Sequence, residues 1–342
     1  MSHARLPRPP ALSTFSIGSL PHTQLELAMQ QALQFDIPTL PQLPKRNAAE
    51  FMLPQAIEGF PGLRFDADGR TQIDRAEWEA KREEFGRRLK AALSGVGLEA
   101  FEPSGAFCAA WKPFLWEVEQ RKAPFAKAQL TGPITILWAT TLTDGAPLAQ
   151  VPGLEAQLVE LILVRALAMV KALQSTGATP ILFLDEPGLY AFDKRKPSHL
   201  IELRELNVAI ASLKNAGALV GVHCCGNTEW EAVLKLGLDF LSVDVRLSLD
   251  VLLATSPALE EYLAAGGWLG LGIVPTNVAT HEPMSELVDD TYARMGDRRK
   301  AILARALLSP ACGLAMRTVA ECEQIASDVR EAQSLLQSVR SV

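Results

Sequence analysis

Much is missing from this chain, and each absence removes a class of function. No stretch of about 18 uncharged apolar residues occurs, so no membrane span is expected. The most apolar helical run, Leu154 to Leu173, is broken by Glu155, Glu160, Arg165 and Lys171. There is no basic excess: the net charge is -6 and the pI is near 5.5, which argues against a nucleic-acid partner. Residues 1–11 hold Pro and Arg but no apolar h-region, so a signal peptide is not expected. Cysteine is scarce and odd in number. The five residues Cys108, Cys224, Cys225, Cys312 and Cys322 read as reduced thiols in a cytoplasm rather than a disulfide framework. Internal repeats and low-complexity segments are also lacking.

What is present is a large apolar fraction, 48% of 342 residues, enough for a sizeable core. From Phe125 onward, short apolar runs alternate with helical periodicity. Strands are predicted at Phe125 to Leu130, Pro180 to Leu184, Ala218 to Val222, Phe240 to Val243, Trp268 to Ile273 and near Leu307. Helices are predicted at 154–173, 198–215, 228–236, 248–265, 284–306 and 318–337. Two earlier strands are expected at Ser13 to Ile17 and Phe35 to Leu40, with helices at 23–34 and 47–58. Residues 1–12 are expected to be a loose arm. Thr228 and Glu231 have capping-box spacing, which would start a helix at 228.

About eight strand–helix units imply a parallel sheet, and eight imply a single α/β domain, a (β/α)8 TIM barrel, over 1–342. A doubly wound open sheet is the competing architecture. Residues 60–120 break the rhythm and read as an inserted α+β segment after the second strand. The insertion holds a hairpin, Leu63–Asp66 and Arg70–Ile73, a charged helix over 75–92, and an aromatic helix with Trp111, Phe114 and Trp116.

Polar residues favour the barrel. Ser19, Gln42, Thr131, Asp185, His223, Asp244, Asn277 and Cys312 all fall at C-terminal strand ends, which converge on one face in a barrel. Side chains alternate along a strand, so His223 and Cys225 project together and Cys224 points away into the core. His223 and Cys225 are half of a zinc site. Cys312 is the expected third ligand and Asp244 the candidate fourth, within bonding distances of ~2.0–2.3 Å. Cys108 and Cys322 lie on predicted helices and read as structural, and His22 and His281 as exposed loop residues.

Zinc held by two thiolates is a poor Lewis acid for hydrolysis. It suits a third thiol, held as a nucleophilic thiolate that can take a methyl group. In this reading Asp244 leaves the metal as the substrate sulfur arrives. Asp185 and Glu186 stand where a substrate amine or a donor proton would be met, or where one of them pairs with Lys194 or Arg195. Ser19, with the amides after Gly18, could bind a carboxylate. Thr131-Gly132-Pro133 is either part of the pocket or simply a turn.

Five stretches occur in an order that resembles the catalytic half of cobalamin-independent methionine synthase. They are Ile17-Gly18-Ser19-Leu20-Pro21, Gln129-Leu130-Thr131-Gly132-Pro133, Asp185-Glu186-Pro187, His223-x-Cys225 and Pro310-Ala311-Cys312-Gly313-Leu314. The superfamily also contains uroporphyrinogen decarboxylase and the corrinoid-dependent thiol methyltransferases, to which His223 to Thr228 is similar.

The resemblance implies zinc-dependent methyl transfer to homocysteine, giving methionine, on one barrel. His223, Cys225 and Cys312 would be ligands, Ser19 would hold the substrate carboxylate and Asp185 its amine. Asp244 stands where the family has a metal-binding glutamate. Gln42 offers an amide near where a second glutamate is expected. The two-barrel enzymes use an extra half to help hold methylfolate. With one barrel, a methyl-corrinoid donor, free or on a corrinoid protein partner, is therefore expected beside methylfolate. The alternatives are corrinoid-dependent methylation of another thiol, decarboxylation of the uroporphyrinogen type, and a non-catalytic barrel with structural zinc.

Overall fold

A computed structural model describes residues 6–276 and 282–340. Its regular sheet has six parallel strands: β1 Phe125–Thr131, β2 Thr179–Asp185, β3 Leu219–Cys224, β4 Phe240–Asp244, β5 Trp268–Val274 and β6 Ala306–Pro310. Neighbours in sequence are neighbours in the sheet. Helices such as Leu154–Ser175, Pro197–Asn215 and Val319–Arg340 connect or follow them. Because both faces of the strands are covered, they read as continuous apolar runs.

The sheet curls as a TIM-like barrel does. Leu12 N and Phe15 N donate to Ala306 O and Leu308 O of β6, and Ile37 N donates to Thr14 O. Lys127 N of β1 donates to Pro38 O, and Leu40 N donates to Lys127 O. Backbone hydrogen bonds thus run from β6 to β1 through two extended segments.

Those segments were expected to be strands, but they form only single bridges, Thr14 with Leu308, Ser19 with Gln42 and Thr39 with Lys127. Side chains take the place of ladder bonds. Thr14 N and Oγ1 both donate to Asp36 Oδ2, and Ser16 N donates to Thr39 Oγ1. Pro38 and Pro41 have no N–H to offer.

Two apolar cores result. The larger lies between sheet and helices. The smaller fills the inside of the curl with Phe15, Ile17, Ile37, Phe125, Ile181, Phe183, Leu219, Phe240 and Leu307. Phe15 and Phe183 stack with centroids 5.6 Å apart. A Cβ on Gly221 would lie 2.5 Å from the Phe183 ring, so glycine there makes room for the aromatic layer. Toward the C-terminal strand ends the inward positions become polar, at Gln129, Asp185, His223 and Ser242, and Lys127, paired in register with Ile181, stands among the aromatic rings themselves.

The hairpin forms between Leu63–Phe65 and Thr71–Ile73, with Leu63 opposite Ile73. Its third strand, Thr141–Leu142, comes from beyond residue 120. Helix Arg75–Leu93 is capped by Asp74, which accepts from Glu77 N. Trp78, Phe85, Leu89, Trp111 and Phe114 belong to the larger core, and Trp78 Nε1 donates to Gln157 Oε1 of helix Leu154–Ser175.

Three local expectations fail. The described part of the 1–12 arm is not loose: Arg8 pairs with Asp239 at 2.6 Å and Leu12 is fully buried. The capping box does not form: the helix spans Trp230–Leu234, and the Thr228 hydroxyl donates to Leu189 O at 2.6 Å instead. His22 is buried rather than exposed. Asn277 and His281 lie outside the described residues. Among the described residues, no helix is long and apolar enough to cross a membrane.

Candidate metal and substrate site

At the end of β3 the pleat separates the two adjacent cysteines. The Cys224 side chain enters the larger core, donates to Gly226 O and is pushed up to about 12 by burial. His223 and Cys225 face the other way and meet Cys312 from the loop after β6. One imidazole nitrogen and the two sulfurs lie within 4.8 Å of one another.

His223 is oriented from below. Its Nδ1 lies 3.0 Å from Ser242 Oγ, and its Nε2 is buried with no hydrogen-bond partner. The neighbouring Cys312, then His223, hold the Cys225 thiol well below the ordinary range. Cys312 is correspondingly raised by its neighbour Cys225 and by burial.

Two soft sulfurs and one orphaned imidazole nitrogen fit zinc. Its bonds of about 2.0–2.3 Å need ligand atoms about 3.5–3.8 Å apart, inside the 4.8 Å that bounds this cluster. Ligation through Nε2 would leave the Ser242 contact intact.

Asp244 corrects an expectation. It is not one of the clustered residues. Its Oδ1 accepts from Arg246 N and Leu247 N and caps helix Val245–Ala254. Two backbone bonds fix a side chain already one methylene shorter than glutamate. The carboxylate is still close enough for a Cys225 thiolate to add to the upward push that burial gives its pKa.

Asp185 and Glu186 part company. Asp185 pairs in register with His223, and its Oδ1 is buried without a partner. Burial raises its pKa, while Lys127 and His223 oppose the rise. Glu186 is fully buried, and its oxygens accept from Ile134 N, Thr135 N and Thr135 Oγ1 at 2.6–3.0 Å. That bonding holds the start of helix Pro133–Ala139. A Cβ on Gly132 would sit 2.2 Å from Glu186 Oε1, so the glycine admits this carboxylate. Neither acid pairs with Lys194 or Arg195, whose partners are Glu229 and Asp193.

The Ser19 turn meets the Cys312 loop directly. Leu314 N donates to Ser19 O, and a Cβ on Gly313 would lie 2.1 Å from Ser19 Oγ. Gly18 has φ 137° and packs on the Gln129 amide. Thr131 and Gln42 are tied elsewhere: Thr131 Oγ1 donates to Met52 O, and Gln42 Nε2 donates to Gln55 Oε1. Sequence reasoning missed Lys127, Gln129 and Ser242. The signal was there as polar residues at alternate positions in otherwise apolar strands, Lys127-x-Gln129-x-Thr131 and Ser242-x-Asp244.

Residues 116–334 match the family model described as "Cobalamin-independent synthase, Catalytic domain". The chain belongs to this family. The match spans well over half of the sequence and includes His223, Cys225 and Cys312; Ser19 and Gln42 precede it.

The family's description sits against the methyl-corrinoid donor and the corrinoid protein partner expected above. Among solved structures, the chain is similar to a candidate vitamin-B12 independent methionine synthase from Listeria monocytogenes. Identity is 15% and the TM-score 0.44, over 66% of this chain and 69% of that one. It is also similar to D-psicose 3-epimerase from Clostridium cellulolyticum H10. There identity is 11% and the TM-score 0.38, over 68% and 83% of the two chains. No curated protein matches.

Proposed function

We propose that this family member is a zinc-dependent methyltransferase that methylates the thiol of homocysteine, with a methylfolate-type donor. The observation that carries this reading is the cluster itself. Three soft or borderline donors from two strand ends converge, and His223 Nε2 is left without a partner. Family membership supplies the reaction class. The barrel is read as eight-stranded, with segments 12–20 and 37–42 as its first two strands and residues 60–120 as an insertion.

His223, Cys225 and Cys312 hold the metal. Zinc bound there would keep a substrate thiol in its thiolate form near neutral pH. Asp185, with a buried unpaired oxygen beside His223, receives the substrate amine. Ser19, next to the Cys312 loop, faces the carboxylate. Gly18 shapes that turn, and Gln42 and Thr131 shape the wall. In the transfer the sulfur–methyl bond forms and the donor–methyl bond breaks. The thiol's proton is released, and one is taken up by the donor.

Glu186 sets the Thr131-Gly132-Pro133 loop rather than touching substrate. Asp244 caps its helix and leaves the three-residue cluster open to a fourth, exchangeable ligand, as a catalytic zinc site requires and a structural one does not. Zinc content by atomic absorption tests the assignment. Stoichiometric zinc in the native protein, lost in Cys312→Ser, is expected; zinc retained in Cys312→Ser would remove the basis of the reading.

A further inference from the structure

The two extended segments that close the barrel lack a strand ladder just below the site, and two side chains of β1 take its place. Among the described residues, no backbone N–H donates to Ile17 O or to Leu40 O. Lys127 Nζ donates to Ile17 O at 2.8 Å, and Gln129 Nε2 donates to Leu40 O at 2.9 Å. The pair is also joined internally, since Lys127 Nζ donates to Gln129 Oε1 at 3.1 Å. The amide of Gln129 has therefore one allowed orientation, its oxygen toward the ammonium group and its nitrogen toward the carbonyl. Both residues are buried. A buried ammonium group is costly without partners. Here the two oxygens supply them, together with the rings of Phe15 and Phe183, whose centroids lie 5.8 and 4.9 Å from Nζ.

What this pair holds is the turn that carries Ser19. Gly18, directly after Ile17, packs on the Gln129 amide: its φ is 137°, and a Cβ there would lie 2.3 Å from Gln129 Nε2. Two residues beyond Leu40, Gln42 N donates to Gly18 O at 3.0 Å, and Leu20 N donates to Gln42 O at 2.9 Å. Lys127 and Gln129 thus anchor both chains that flank Ser19. On its far side Ser19 O accepts from Leu314 N of the Cys312 loop. Neither Lys127 nor Gln129 belongs to the metal cluster. An apolar pair would fill the same space but leave two buried carbonyls without donors and Gly18 without its amide seat.

We propose that Lys127 and Gln129 are positioning residues for Ser19 and thereby make the acceptor site selective for thiols that carry a carboxylate. The inference rests on the reading above that Ser19 faces the acceptor's carboxylate, and extends it to two residues that touch no substrate.

The test is titration calorimetry on the zinc-loaded full chain with three thiols. Homocysteine has both amine and carboxylate, 3-aminopropane-1-thiol lacks the carboxylate, and 4-sulfanylbutanoate lacks the amine. Native protein prefers homocysteine to 3-aminopropane-1-thiol, and Ser19→Ala lowers that preference. Gln129→Met weakens homocysteine and 4-sulfanylbutanoate about tenfold each and 3-aminopropane-1-thiol less than about threefold. Lys127→Met has the same pattern. The double variant loses no more carboxylate preference than the weaker of the two single variants, because both act through one turn.

Equal weakening of all three thiols is what a merely structural role gives, and it overturns the inference. An unchanged carboxylate preference in Gln129→Met overturns it too, and so do fully additive losses in the double variant. In each of these cases the native preference and its loss in Ser19→Ala leave the acceptor site standing. If Lys127→Met does not fold or hold zinc, Gln129→Met, which leaves Lys127 bonded to Ile17 O, decides. No preference for homocysteine over 3-aminopropane-1-thiol in the native protein, or no effect of Ser19→Ala, sinks the carboxylate reading of Ser19 itself, and the inference with it.

Discussion

His223 Nδ1 lies 3.0 Å from the hydroxyl of Ser242 on the neighbouring strand, and that contact decides which imidazole nitrogen is left for a metal. Ser242 is fully buried, so the contact does not compete with water. Partners of this kind set the orientation and basicity of a ligating histidine. Ser242→Ala is therefore expected to lower zinc affinity roughly 10- to 100-fold while the fold persists. Competition against a chromophoric chelator measures this; an unchanged affinity would place the orienting role elsewhere.

The thiols should differ sharply in reactivity. Cys225 is held toward its thiolate by Cys312 and His223, and both cluster cysteines are partly exposed. Cys108, Cys224 and Cys322 are buried and pushed up by burial. Because the thiolate is the nucleophile, iodoacetamide should label Cys225 first in metal-free protein, and added zinc should protect it. Peptide mapping by mass spectrometry reads the order. First labelling at Cys224 would contradict the facing assigned to the two adjacent residues.

Glu186 predicts a pH dependence of stability. Burial raises its carboxyl from 4.5 to about 7 in the folded chain, against the hydrogen bonds from Thr135 and Ile134. Between those values the folded state binds the extra proton. Stability attributable to this group is therefore fullest near the acid end of the window and falls as the pH rises toward 7. Glu186→Gln should unfold at a lower temperature throughout, since an amide cannot accept all three donors, but with a flatter pH dependence between pH 5 and 7. The change in slope should be of the order of 2 °C across the window by thermal denaturation. An unaltered slope would show that Glu186 does not titrate there.

The strand–helix rhythm after Phe125 and the facing of His223 and Cys225 were legible because both follow from period-2 alternation in long apolar runs. Cys312 was legible from its place at the last strand end. The first two strands were less so. Asp36, Thr39 and two prolines replace ladder bonds with side-chain contacts, and propensity does not report such long-range partners. Asp244 misled for a related reason: a carboxylate at a strand end that opens a helix serves as ligand or as cap, and only the distances to Arg246 N and Leu247 N choose. The Thr228 cap failed because Leu189 O, 39 residues away, takes its hydroxyl. Lys127 lies mid-strand, where a buried cation has no local signature beyond its place in the period-2 alternation.

Methyl transfer is the most direct test. Zinc-loaded protein is incubated with homocysteine and 5-methyltetrahydrofolate, and methionine is measured by mass spectrometry. The cluster of His223, Cys225 and Cys312 predicts methionine formation that requires zinc and is lost in Cys312→Ser. No methionine from the native protein, or equal formation by Cys312→Ser, would contradict it.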